Sequence, residues 1–245
     1  EVSARFGVTT TFEELNYFAQ ISLGFRPPQI NEAYRLQKKQ NVTDLDSETL
    51  TMIEIGSRFD RDTVNGSVSF YKSKKKNSIF RDAENFIVDN GKTDHEGIEL
   101  SLNWLISSNN TVSSNITYGD HRYDFETDTS MREKIRIGNK IDTSPKLMAN
   151  LIWDLNLRND SSISFEIEHM SSYYTDAANL HEYDGHTLYH ARFNKNLSTS
   201  LKGFVRVDNV FDKAYAERAD FNAFGGDRYF PGLPREFYIG IEYTF

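Results

Sequence analysis

The stretch Phe237-Tyr-Ile-Gly-Ile-Glu-Tyr-Thr-Phe245 decides the fold class of this sequence. Side chains along a β-strand point alternately to its two faces, so every second residue shares a face. One face of this stretch is wholly apolar or aromatic and consists of Phe237, Ile239, Ile241, Tyr243 and Phe245. Such a strand, ending on an aromatic residue, is typical of an outer-membrane β-barrel, whose outer face meets lipid and whose inner face meets water.

The overall composition resembles that of a soluble protein. The 245 residues are 38% hydrophobic and 26% charged, with a mean hydropathy of −0.60. No run of 18 apolar residues could form a transmembrane helix. A membrane β-barrel also has a low mean hydropathy and no long apolar run, because every second strand residue faces a water-filled lumen. The net charge of −8 argues against a nucleic-acid surface, and zero cysteines exclude a disulfide scaffold and a thiolate metal site.

The period-2 alternation recurs along the chain. It is clear at Leu147, Ala149, Leu151, Trp153, Leu155 and Leu157, which share one face. We predict eleven strands, near 2–9, 15–26, 48–59, 63–80, 92–107, 110–126, 145–158, 161–174, 185–197, 200–209 and 234–245. A soluble β-sandwich would show the same alternation with its apolar face turned inward, so periodicity alone leaves both folds open.

The connection lengths separate these two folds. Tight links alternate with long ones; the tight links are 10–14, 60–62, 108–109, 159–160 and 198–199. The long ones are 27–47, 81–91, 127–144, 175–184 and 210–233. Short turns at one rim and long loops at the other are typical of an up-and-down outer-membrane barrel. We therefore predict an all-β, antiparallel transmembrane β-barrel.

The strand count is odd, whereas bacterial single-chain barrels normally have an even number. The last strand should end at the short-turn, periplasmic rim. The first strand would then begin at the opposite rim, where an exported chain cannot start. The count therefore predicts that residues 1–245 are the C-terminal portion of a larger barrel.

Four sequence motifs carry a resemblance to a known family. They are Gly24-Phe-Arg-Pro-Pro-Gln-Ile-Asn-Glu-Ala-Tyr34, Gly91-Lys-Thr-Asp-His-Glu-Gly-Ile-Glu-Leu100, Val207-Asp-Asn-Val-Phe-Asp-Lys-Ala-Tyr215 and the closing segment 231–245, which contains Pro234-Arg-Glu-Phe237. Each motif is weak alone. Because all four occur in this order, the chain resembles the TonB-dependent outer-membrane receptors. The resemblance implies a 22-stranded barrel around an N-terminal plug. The present chain would then be the C-terminal half, with the plug and the first barrel strands absent.

The resemblance also implies a function and partners. Family members import a scarce nutrient across the bacterial outer membrane, most often a ferric siderophore or another iron complex. The implied partners are the TonB complex, through the absent plug or N-terminal region, and outer-membrane lipid. The barrel-assembly machinery is a further partner, with the terminal Phe245 as its recognition signal. No covalent chemistry is implied, so we expect no enzyme activity, no catalytic residue, no cofactor and no nucleic-acid partner.

Arginines and aromatic residues in the long loops are candidates for ligand binding. Both residue types suit an anionic, aromatic-rich siderophore, through charge-assisted hydrogen bonds and stacking. The candidates are Arg26, Tyr34, Arg35, Phe221, Phe224, Arg228 and Tyr229. Each residue could equally belong to an aromatic girdle or to loop packing.

The run Lys72-Ser-Lys-Lys-Lys76 predicts a different contact. Val64, Val68 and Phe70 should face lipid, and the same parity points Lys72, Lys74 and Lys76 outward above the apolar band. Lysine binds phosphate as a point charge, so we predict that these three lysines contact lipopolysaccharide. The alternative is a solvated strand extension.

Other functions stay open at this stage. His181, His186 and His190 could form a metal cluster but lie on a loop and a strand start, so we expect no metal site. Glu166 and Glu168 have the spacing of a glycosidase pair, although a wet lumen produces such pairs by default. A passive, porin-like channel or another barrel without a plug is the main alternative, and an outer-membrane enzyme or adhesin is a third.

Overall fold

In the computed structural model, which describes residues 2–34, 45–127 and 134–244, nearly all regular structure is β-strand. Numbered along the chain, the strands are β1 Ala4–Phe12, β2 Leu15–Arg26, β3 Glu48–Arg61, β4 Val64–Arg81, β5 Ile87–Ser107, β6 Asn110–Tyr123, β7 Leu147–Leu157, β8 Ser161–Met170, β9 Tyr173–Tyr174, β10 Glu182–Tyr183, β11 His186–Asn196, β12 Leu201–Asp208, β13 Ala216–Asn222, β14 Gly226–Pro231 and β15 Glu236–Tyr243. The helix α1 spans Ile30–Tyr34. No helix among the described residues is long and apolar enough to cross a membrane.

Eleven of these strands form one antiparallel sheet, which confirms the predicted strand number. The order across the sheet is β1-β2-β3-β4-β5-β6-β7-β8-β11-β12-β15. Neighbouring strands of the sheet follow one another along the chain, so the sheet is an up-and-down meander. Tight turns lie at one rim; at one of them, Asn159 and Asp160 have φ of 62° and 52°, in the left-handed region that Asn and Asp adopt more readily than most residues.

The loops at the opposite rim contain structure that the sequence pattern missed. The predicted strand 161–174 ends at Met170, because Tyr173–Tyr174 pairs with Glu182–Tyr183 in a separate sheet. The segment predicted as loop 210–233 contains the hairpin of β13 and β14. The strand predicted at 92–107 begins earlier, at Ile87, because Ile87 and Val88 are buried and pair with Arg81 and Phe80 of β4. These pieces are too short for periodicity to identify.

The two faces of the sheet differ in chemistry as the alternation predicts. Cross-strand pairs on the outer face join apolar residues, for example Phe70 with Ile98 and Val205 with Ile239. Ile239 and Ile241 are 82% and 71% exposed. No second sheet packs on this apolar face among the described residues, and this separates the fold from a soluble sandwich.

The two edges of the sheet remain separate within this chain. In the described part, β1 pairs only with β2 and β15 pairs only with β12. The sheet is therefore a barrel wall that does not close by itself. The terminal Phe245, predicted as an assembly signal, lies outside the described residues.

Candidate functional site

The candidate site lies at the rim where the long connections gather. Two tyrosines fix the β13–β14 hairpin there. The Tyr173 hydroxyl accepts a hydrogen bond from the amide of Ala219 at 2.8 Å and donates to its carbonyl at 3.2 Å. The Tyr183 hydroxyl likewise accepts a hydrogen bond from the Ala216 amide at 3.0 Å and donates to the Ala216 carbonyl at 3.3 Å. Because all four residues are buried, these bonds hold the hairpin on the rim.

The neck of the same loop is closed by Asn209, the asparagine in the third motif. Its side-chain oxygen accepts from the Lys213 amide at 2.8 Å, and its amide nitrogen donates to the carbonyls of Lys213 and Leu233 at 2.9 and 3.2 Å. Its φ of 48° lies in the left-handed region, which asparagine tolerates better than most residues. The motif therefore has a structural role at the base of the hairpin.

A polar cavity of about 250 Å³ opens beside this hairpin. We call it the loop cavity. The segments 81–85, 142–143, 175–176 and 218–228 contribute to its lining, so four separate stretches of the chain meet there. Its charged residues are three arginines and four aspartates: Arg81, Arg218, Arg228, Asp82, Asp142, Asp176 and Asp220.

Two of the arginines in the loop cavity are held through one carboxylate. Asp220 binds Arg218 at 2.7 Å and Arg228 at 2.6 Å through its two oxygens. Asp220 is buried, whereas the side chains of Arg218 and Arg228 are 64% and 50% exposed. Each guanidinium has five N–H donors, so both arginines keep donors for an anionic ligand.

The remaining aspartates of the cavity differ in how they are used. Asp82 and Asp176 each accept two backbone amides of their own loops, at 2.8–3.0 Å. Burial raises the pKa of Asp142, and the negative charges of Asp176 and Asp220 raise this pKa further. The hydrogen bond that Asp142 accepts from the Tyr123 hydroxyl, 2.6 Å long, lowers the pKa. The net effect is a raised pKa, because burial and the two neighbouring carboxylates outweigh the hydrogen bonds that lower it.

The Thr175 hydroxyl in the same wall is buried and has no hydrogen-bond partner in the part of the chain described. Together with the remaining donors of Arg218 and Arg228, it leaves polar groups in the cavity whose hydrogen bonding is incomplete. A bound ligand could complete it.

Four of the predicted ligand-binding residues lie on this one hairpin. Phe221 and Arg228 line the cavity, and His181 stacks on Phe221 with ring centroids 3.8 Å apart. Tyr229 packs near Tyr183, while Phe224 is exposed at the hairpin tip. Sequence reasoning missed Arg218, Asp220 and Asp142, since isolated charged residues in separate loops carry no pattern.

Arg26 lies elsewhere on the rim, in a set of groups that we call the rim clamp: Arg26, Glu32, Glu48, Lys75 and the Ile79 amide. Arg26 binds Glu48 at 2.5 Å and holds Glu32 with both terminal nitrogens, at 3.0 and 2.9 Å. Glu32 also accepts the amide of Gln29 at 2.7 Å, which caps helix α1. Tyr34 ends this helix and is exposed, and Arg35 lies outside the described residues.

Glu48 is the centre of the rim clamp, with only 4% of its side chain exposed. It also binds Lys75 at 2.9 Å and accepts the Ile79 amide at 2.8 Å. Burial alone would raise the pKa of Glu48, but the hydrogen bonds from Arg26, Ile79 and Lys75 outweigh burial and lower the pKa to about 2. The clamp thus joins β2, α1, β3 and β4 with its charges mutually satisfied.

The three lysines predicted to contact lipopolysaccharide lie on the outer face, as expected from their parity. Lys72 pairs with Glu96 at 2.8 Å, and Lys74 pairs with Asp94 at 3.1 Å. Lys76 is exposed.

The three histidines considered as a metal cluster have separate neighbours. His181 stacks on Phe221, His186 lies beside Tyr183 and His190 lies beside Asp208. Within the described ranges, no three His, Cys, Asp or Glu side chains are arranged to hold a metal ion.

Comparisons with known proteins agree with this architecture. A family model described as "TonB dependent receptor-like, beta-barrel" matches residues 1–210. Solved structures that resemble the chain include the siderophore receptor PiuA from Acinetobacter baumannii, with a TM-score of 0.82 and 18% identity over 98% of this chain. The ferric-catecholate import receptor Fiu from K12 E. coli has a TM-score of 0.79 and 18% identity over 99%. The copper transporter OprC has a TM-score of 0.78 and 16% identity over 99%.

These likenesses concern the fold, and the chain covers only 35%, 35% and 40% of the three structures. No curated protein sequence matches the chain.

Proposed function

Because this chain belongs to the TonB-dependent receptor β-barrel family, we propose that it forms barrel wall and outer loops of a receptor for TonB-dependent nutrient uptake. The nutrient is a ferric siderophore or another iron complex. The apolar parts of the strands β1–β8, β11, β12 and β15 lie in the bacterial outer membrane, with the tight turns at the periplasmic rim and the rim clamp and the loop cavity outside.

A larger barrel completes this wall. The supporting observation is that β1 and β15 each lack a second neighbour among the described residues, and open sheet edges do not occur in the hydrocarbon region. We propose that the remaining strands and a plug complete a 22-stranded barrel, of which this chain is the C-terminal half. The plug region binds TonB, and Phe245 is read by the barrel-assembly machinery.

The observation that carries the choice of ligand is the loop cavity. Arg218 and Arg228 present free donors at its wall, beside the stacked rings of Phe221 and His181. Guanidinium groups bind anionic oxygens strongly, and aromatic faces bind flat rings. An anionic, aromatic iron chelate matches both features, and the receptor would hold it at this cavity before import.

Growth of a strain lacking the receptor gene tests the function. On a panel of single iron sources, we expect growth to fail on at least one source, and the same failure when TonB is inactivated. Normal growth on every iron source would refute uptake of an iron complex. Uptake that continues without TonB would favour a passive channel.

Substitution of the cavity arginines tests the site. In the full-length receptor, Arg218→Gln with Arg228→Gln should weaken binding of the identified iron complex by roughly tenfold to hundredfold, since a hydrogen bond to a charged group contributes about 1.5–3 kcal/mol. The control is Arg158→Gln with Lys202→Gln, which removes two positive charges near the opposite, tight-turn rim. Equal affinity of the variant and the control receptor would place the ligand elsewhere.

A further inference from the structure

The outer face changes from apolar to charged at one height across three strands. The last apolar row joins Phe70, Ile98 and Tyr118. The next row towards the long-loop rim joins Lys72, Glu96 and Asp120, and the row above it joins Lys74, Asp94 and Arg122. The apolar band therefore ends sharply at a surface rich in charge.

Seven basic residues occupy this surface, which we call the cation belt. They are Lys72, Lys74, Lys76, Lys92, Arg122, Lys140 and Lys146. Lys140 and Arg122 bind Asp120, and the Lys146 ammonium lies 5.0 Å from the Tyr118 ring centroid, which places these groups on the same outer surface as the β4 lysines. The sequence motif supplied only three of the seven, because the others come from β5, β6 and the segment before β7.

The carboxylates within the belt do not neutralise it. Four of them pair with its cations: Asp94, Glu96, Asp120 and Asp124. The belt therefore has more positive than negative groups, although the whole chain has a net charge of −8. The pairs of Lys72 with Glu96 and of Lys74 with Asp94 are exposed. Exposed ion pairs contribute only about 0–1 kcal/mol, so a multivalent anion can displace these two carboxylates.

An apolar groove of about 420 Å³ lies on the same face below Lys72. Its lining includes Phe70 and Val68, which precede Lys72 on the outer face of β4, with Ile55 and Ala19 on the neighbouring strands. Anionic headgroups are attracted by about 1 kcal/mol for each nearby Lys or Arg. Cations at the edge of an apolar groove match a ligand that has phosphates above acyl chains.

We propose that the cation belt binds the phosphates of lipopolysaccharide and that the groove below Lys72 holds one of its acyl chains. The belt lies at the long-loop rim, which faces the outer leaflet in a bacterial barrel. The surface is separate from the loop cavity, so its role does not depend on the nutrient.

The first experiment measures lipopolysaccharide that co-purifies with the full-length receptor. The triple variant Lys72→Gln, Lys74→Gln, Lys76→Gln should retain several-fold less, on the order of fivefold or more given about 1 kcal/mol per cation. The control is Arg158→Gln, Lys195→Gln, Lys202→Gln, which removes three cations near the tight-turn rim. Heat-modified migration on gels confirms that each barrel is folded. Equal retention in the two folded variants would overturn the proposal.

A second variant gives a result of opposite sign. Asp94→Asn with Glu96→Gln frees Lys72 and Lys74, so lipopolysaccharide binding should increase. If the lysines serve only their ion pairs, binding will not rise and the proposal fails. In nanodiscs, the binding of added lipopolysaccharide should exceed that of phosphatidylglycerol; equal binding would show a site for any anionic lipid and would overturn the assignment to lipopolysaccharide.

Discussion

The rim clamp and the loop cavity lie on the same rim and each contains a carboxylate with a shifted pKa, yet the two shifts are opposite. Glu48 is buried and Asp142 is partly buried. Glu48 in the clamp accepts three donors, two of them cationic, and its pKa is lowered to about 2. Asp142 in the cavity accepts the hydroxyl of Tyr123 beside two other carboxylates, and its pKa is raised. Burial acts in the same direction on both, so the neighbouring charges decide the difference.

This difference suits the rim clamp to a structural role and the loop cavity to ligand binding. The charged groups of the rim clamp already bind one another, so the clamp fixes the positions of β2, α1, β3 and β4. The loop cavity keeps polar groups with incomplete partners, and these can be satisfied by a ligand. Arg26 is therefore better suited to hold the rim, and Arg228 to contact a ligand. Amide hydrogen exchange in the full-length receptor tests this contrast between the rim clamp and the loop cavity.

The largest effect is expected for Glu48→Gln. The variant leaves Lys75 without its countercharge and Arg26 with Glu32 alone, and it weakens the bond to the Ile79 amide, at a cost of about 2–3 kcal/mol. The Ile79 amide should then exchange roughly a hundredfold faster, since about 1.4 kcal/mol corresponds to tenfold. Glu99→Gln, on the inner face, is the control and should leave Ile79 protected. Unchanged exchange in Glu48→Gln would mean that the clamp does not hold the rim.

The next effect concerns the wall of the loop cavity. Tyr173→Phe removes both hydrogen bonds to Ala219, and buried unsatisfied groups cost about 1–3 kcal/mol. The Ala219 amide should exchange roughly tenfold faster, while Ile79 should not change. Tyr174→Phe, on the neighbouring residue, is the control. A loss of protection at both Ile79 and Ala219 would show that the two regions are one cooperative unit.

The pH dependence should differ in sign between the two regions. The pKa of Glu48 is lowered, so its stabilisation of the clamp is fully present above about pH 4.5 and is lost as the pH falls towards 2. The pKa of Asp142 is raised, so protonation on acidification relieves its buried charge and stabilises the cavity. Exchange of Ile79 and Ala219, corrected for intrinsic rates, measures both. Parallel changes in the two amides would contradict the contrast.

The smallest effect is expected for Asp142→Asn. The side-chain oxygen of the new asparagine can still accept a hydrogen bond from the Tyr123 hydroxyl, while the negative charge beside Asp176 and Asp220 is removed. Amides around the cavity should become slightly more protected near neutral pH, and their acid stabilisation should disappear. Asp89→Asn serves as the control. Faster exchange around the cavity would show that the Asp142 charge stabilises it.

Most of the sheet could be predicted from the sequence. Alternation and turn spacing located all eleven strands of the sheet, and Phe237, Ile239 and Ile241 identified its exposed apolar face. Only the loop strands were missed, because β9 and β10 have two residues each and β13–β14 form away from the sheet.

The site was less predictable. Phe221 and Arg228 were named from residue type, but their neighbours Asp220, Asp142 and Thr175 come from segments up to 78 positions apart in the sequence. No periodicity links such residues. The family motifs around Arg26 and Asn209 were visible in the sequence. The contacts that these two residues make with neighbouring rim residues could not be predicted from it.

The sequence by itself determined the strand number, the apolar face of the sheet and the rim that has the long loops. Each of these follows from local alternation and spacing, which every strand encodes separately. The tertiary structure alone decided which charges meet: it placed three donors around Glu48 and the carboxylates of Asp176 and Asp220 near Asp142, and it joined cations from four segments into one belt. The energy of a buried or paired charge depends on neighbours in space, and the chain's order does not specify those neighbours.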